Sequence, residues 1–157
     1  MSMCVYIDLP DYLREWFIDD CGGLDGGAVK VRRGSAESNF LGVFLAKRPI
    51  GVKPEPPGNR LAVRIPVFRG RNPEDYNYLP PYAMGAFVEI LRRRFDMQLW
   101  DELYGFANIG RKQDVMIYAY MEKHGIAATD KNWQAVAKRY ARLRKIYAAR
   151  EERKKCD

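Results

Sequence analysis

"NWQAVAKRYARLRKIYAAREERKK", residues 132–155, decides how the C-terminal half of the chain is read. Trp133, Val136, Tyr140, Leu143 and Tyr147 recur at intervals of three and four, the spacing that lines one face of an α-helix with apolar side chains. Thr129 or Asp130 stands just ahead of this seam and supplies an N-cap. Lys138, Arg142 and Lys145 fall opposite the seam, with Arg139 and Arg144 nearer its borders. The spacing thus predicts a packed helix with a cationic back. Past Tyr147 the seam stops, and "AAREERKKCD" is expected to fray into solvent.

Lysine and arginine are good helix formers, and a helix that merely stays wet intersperses acidic residues at i+4. None occurs between Lys131 and Arg150. Residues 1–130 hold 17 basic and 17 acidic side chains, whereas residues 131–157 hold 10 and 3, so the last 27 residues carry the whole net charge of +7. Such asymmetry implies a partner with an extended negative surface. DNA is the first expectation, with Lys138, Arg139, Arg142, Arg144, Lys145 and Arg150 touching phosphates; an acidic protein is the second.

Upstream, helical spacing continues from about 82 to 107 and from about 111 to 124. The connections at 108–110 and 125–129 are short, which makes consecutive helices neighbours and predicts a three-helix arrangement. His124, directly before Gly125, suits a helix C-terminus better than catalysis. The first half mixes short strands with two helices. "CVYIDLP" alternates Val5, Ile7 and Leu9 with polar positions, the period of a half-buried strand. Asp11 is expected to cap a helix bearing Leu13, Trp16 and Phe17 and ending at Gly22 or Gly23. A strand at Ala28 to Val31, a helix from Ser35 or Ser38 burying Phe40, Leu41, Phe44 and Leu45, a proline-rich loop and a strand in "LAVRIPVF" follow. The fold class expected is α+β, with a small α+β region over 1–75 and a helical region over 76–157, packed as one unit.

"RKQDVMIYAYMEKHG", "IAATD" and "NWQAVAKRYARLR" together resemble helix-turn-helix domains of the homeodomain and Myb type, over about forty-five residues. The connection is longer than the tight turn of the standard motif. That resemblance implies DNA reading by the basic helix. "VYIDLPDYLREWF" and "GSAESNFLGVFLAKR" are more faintly similar to ribbon-helix-helix repressors, which implies a homodimer with paired strands whose Cys4, Tyr6 and Asp8, or their alternates, face DNA. None of those three is basic, and "CGGLDGGAVKVR" is an insertion in that pattern. "MEKHGIAATDKNWQAVAKRYARLRK" resembles small proteins of bacterial mobile elements and prophages, which implies handling of the element's DNA.

Other function classes find little to stand on. No phosphate-binding G-x-x-x-x-G-K-[ST] loop, zinc-protease H-E-x-x-H or G-x-S-x-G occurs, and adjacent carboxylates such as Asp101 and Glu102 point apart. A metal-dependent nuclease would need distant carboxylates, for instance Asp8 with Glu37. Single-strand stacking on Tyr76, Tyr78 and Tyr82, or phosphate contacts from "KVRRG" and "FRGRNP", are further options. No cofactor, metal or membrane partner is expected. Cys4, Cys21 and Cys156 form no paired pattern and read as free thiols of a cytoplasmic protein without a signal peptide or membrane span.

Overall fold

The computed structural model describes residues 3–54, 56–107 and 112–156 of the 157-residue chain. The fold is α+β. In order come β1 (Cys4–Ile7), α1 (Asp11–Asp20), β2 (Ala28–Val29), α2 (Ala36–Phe44), β3 (Leu61–Arg64), α3 (Pro81–Ala107), α4 (Gln113–Lys123) and α5 (Asp130–Cys156). They form two compact units, Met1–Arg92 and Arg93–Asp157. The division lies within α3, not in the loop near residue 75. Residues that follow this loop join the same core as those before it: Leu79, Ala83 and Phe87 are buried, and the Phe87 ring meets Phe17 edge-on at 6.3 Å.

In the first unit β3 is the central strand, antiparallel to β1 and parallel to β2. Period-two alternation sends Val5, Ile7, Leu61 and Val63 to the buried side. Tyr12, Leu13, Trp16 and Phe17 of α1 are buried with them. Asp11 is the first helical residue rather than the cap: Pro10 holds the cap position, and its carbonyl accepts from Arg14 N at 2.9 Å. Asp11 still opposes the positive end of the helix dipole. The helix closes on two glycines, with Gly23 N donating to Ile18 O and Gly22 N to Asp19 O, a turn that needs their positive φ.

α2 is capped by Ser35, whose Oγ accepts from Ser38 N at 3.1 Å. Its buried face differs from the one expected. Leu41 and Leu45 are buried, joined by Glu37 and Ser38, while Phe44 is 37% exposed and stacks on half-buried Phe40. The helix ends at Phe44 and Leu45 is already extended, so a helical period no longer relates the two. β2 and β3 are also shorter than the apolar runs that suggested them.

The second unit is the expected three-helix arrangement, built from the later part of α3 with α4 and α5. Phe95, Leu99 and Leu103 recur every four residues and are fully or almost fully buried, as are Ile117, Tyr120 and Met121 of α4 and Val136 and Tyr140 of α5. Phe95 meets Tyr120 edge-on at 5.9 Å, and Tyr120 Oη donates to Gln98 Oε1 at 2.9 Å. The His124 ring lies 2.9 Å from Glu102 Oε1 at the end of α4, a structural use of the sole histidine. Gly125 reverses the chain there, Ile126 N donating to Met121 O while the Ile126 side chain is buried. The connection expected at 108–110 lies outside the described residues.

Candidate nucleic-acid interface

Thr129, not Asp130, caps α5. Its Oγ1 accepts from Asn132 N at 3.2 Å, and the Asn132 amide donates to Ala127 O at 3.0 Å, so the connection and the first turn hold each other. Val136 and Tyr140 then anchor the inner face, and the Trp100 ring lies parallel to Tyr147 at 4.3 Å with only 3° between the planes. This anchoring fixes which side of the helix faces out. Lys138, Arg142 and Lys145 are exposed on that side, and among the described residues none of them has a hydrogen bond or ion pair. Lys131 is exposed on the same side. Lys138 and Lys145 stand about 10 Å apart along the axis, roughly three base-pair rises of duplex DNA.

Arg139 does not belong to this face. Its guanidinium grips the Asp96 carboxylate of α3 with two bonds, Nε to Oδ1 at 3.0 Å and Nη2 to Oδ2, and both side chains are mostly buried. The expectation that it touches phosphate is corrected accordingly: from near the edge of the seam the side chain reaches the neighbouring helix, and a bidentate pair with a carboxylate holds it there. Arg144 donates to Gln113 Oε1 at 3.1 Å and lies over the Tyr140 ring, and Arg150 lies over the Tyr147 ring at 5.3 Å. Both remain exposed and charged, as flanks of the face.

The helix does not fray after Tyr147 but continues to Cys156, with residues 148–156 exposed all round. Alanine, glutamate, arginine and lysine are strong helix formers, and Arg153, Lys154 and Lys155 oppose the negative end of the dipole. Intrinsic propensity sustains these turns where packing does not.

Of the other cations singled out, Arg71 and Arg32 have duties within the first unit, whereas Lys30, Arg33 and Arg69 are exposed and have no hydrogen bond or ion pair among the described residues. Arg71 donates to Gly42 O at 2.5 Å and lies over Tyr76, and Arg32 donates to Asp20 O at 3.3 Å. Arg48 lies over Tyr78, and Tyr82 is exposed with its ring edge to Phe44. Asp8 is exposed whereas Glu37 is buried, and among the described residues no group of three His, Cys, Asp or Glu side chains could hold a metal ion. β1 pairs with β3 of its own chain, where the ribbon-helix-helix likeness expects pairing between two chains. Among the described residues no helix is long and apolar enough to cross a membrane. No protein-family model, curated protein or solved structure matches the chain.

Proposed function

We propose that the chain is a DNA-binding protein whose α5 lies against duplex DNA. The observation that carries this reading is the outer face of α5, where Lys138, Arg142 and Lys145 stand exposed without partners among the described residues, on a stretch free of carboxylates. Three unneutralised cations on a rigid helix concentrate positive potential, and binding DNA releases the counterions condensed on it. The helix protrudes beyond its seam for nine residues, and a bare helix is the shape a major groove about 12 Å wide admits. Arg144 and Arg150 flank the contact. Arg139 takes no part.

The reading makes a quantitative demand. Three neutralised phosphates give a log affinity that falls with log salt at a slope of about −2.7, and recruitment of Arg144 and Arg150 steepens it to about −4.5. Mobility shifts with random duplex across a salt series measure this. Arg142→Glu with Lys145→Glu removes retention while leaving the circular dichroism spectrum of the fold intact. A flat salt response sinks the proposal. Polyglutamate that competes as well as duplex DNA transfers the face to an acidic protein.

A further inference from the structure

The outer face of α5 is more than a row of charges. Lys131, Lys138 and Lys145 recur every seven residues, so they follow one line along the helix, about 10 Å from one to the next. Gln134 stands one turn before Lys138 and is rotated from that line by roughly 40°. It is exposed, and among the described residues its amide has no hydrogen-bond partner. Roughly 90° round the helix on the other side of Gln134, Trp133 stacks on Tyr118 of α4 at 6.0 Å and Arg144 donates to Gln113 of α4. The amide therefore projects between a border of lysines and a border where α4 packs.

Lysines and the amide differ in what they read. A lysine is a flexible point charge that meets phosphates, which are alike at every step of a duplex and carry no sequence information. A carboxamide offers an acceptor beside a donor, and adenine answers with two bonds in the major groove, its N6 amino group donating and its N7 accepting. The local structure brings this amide forward. Thr129 caps α5 and the Asn132 amide ties the first turn to Ala127, so Gln134 stands on a fixed stem near the helix N-terminus, the end from which helices in the major groove contact base edges. Asp130, one turn earlier, is repelled by phosphates, which places the closest approach at Gln134 and beyond. Two turns on, Ala141 is exposed almost in line with Gln134, and its methyl does not hold the helix away from the groove floor.

We infer that Gln134 gives this face a sequence preference, reading an adenine through N6 and N7 while the lysines hold the backbone; the inference rests on the DNA reading of α5 and deepens it. The full chain is used to select from duplexes with a random core, and mobility shifts then compare selected with random duplex. An adenine is enriched at one position, and 7-deazaadenine there, which removes the N7 acceptor but keeps the base pair, weakens binding about tenfold. Gln134→Ala, at an exposed side chain, loses about tenfold on the selected duplex but keeps its affinity for random duplex, the salt slope and the circular dichroism spectrum. Gln134→Arg exchanges the enriched adenine for guanine. Retention of random duplex with no enriched base, an adenine preference that survives Gln134→Ala, or indifference to 7-deazaadenine overturns the role of Gln134 and leaves the DNA reading standing. An enriched guanine that disappears in Arg142→Ala overturns it too, by moving the readout to that arginine. Failure to retain any duplex at low salt overturns both readings.

Discussion

Arginine is used in opposite ways in the two units. In the sheet-bearing unit four arginines bind backbone: Arg64 donates to the Asp25 carbonyl at 2.9 Å as well as to its carboxylate at 3.0 Å, Arg71 reaches Gly42 O, Arg32 reaches Asp20 O, and Arg14 reaches Asn59 O. In the helical unit Arg139 binds a carboxylate, Arg144 a side-chain amide, and Arg142 nothing among the described residues. The difference follows from the backbone. Strands of two to four residues joined by long loops leave many carbonyl oxygens without ladder partners, and a guanidinium with five donors serves several at once. A helix satisfies its own carbonyls, so a cation on it finds another helix's side chain or none. An arginine left without a partner therefore signals more in the helical unit than in the other.

The comparison breaks most visibly at its apolar foundation. Phe95→Ala removes a fully buried ring from the helical unit and costs about 3–5 kcal/mol in denaturant unfolding; a cost near zero means that charge pairs rather than the seam hold those helices. Arg71→Ala comes next at about 2 kcal/mol, since it strips partly buried carbonyls of their donor, and a neutral result removes the loop-stapling role. Arg139→Met keeps the volume but strands Asp96. It lowers stability by about 1.5 kcal/mol, discounted for partial exposure, and leaves DNA retention unchanged. Weaker retention in that variant would return Arg139 to the interface.

Cys4 gives the smallest effect. Burial pushes its thiol up, against a partial opposing pull from Arg64. A raised thiol is less ionised near pH 8, so iodoacetamide modifies Cys4 about tenfold more slowly than exposed Cys156. The gap narrows as pH rises. Peptide mass spectrometry reads both rates, and equal rates at pH 8 would show the Cys4 thiol to be unshifted.

Much of the fold was legible because it rests on local periods. The seam of α5, the alternation in β1 and the glycine stops after α1 and α4 each show within a few residues. What escaped depends on distance along the chain. Arg139 looks like its neighbours until Asp96, 43 residues away, is placed beside it. Phe44 has the right spacing for a buried face, but it is the last residue of its helix and stays 37% exposed. The persistence of α5 past Tyr147 was visible in helix propensity and was outweighed by the loss of the seam.

The stack of Trp100 on Tyr147 gives the helical unit an optical signature of its own. Two rings locked nearly parallel couple their electronic transitions, producing near-ultraviolet circular dichroism and quenching indole emission as long as the last turn of the seam stays docked. Trp16 is buried in the other unit and Trp133 stacks on Tyr118, so neither ring belongs to this stack. Undocking of that turn, whether by heat, denaturant or a partner that pulls on the helix, is thereby recorded by the protein's own chromophores without a label.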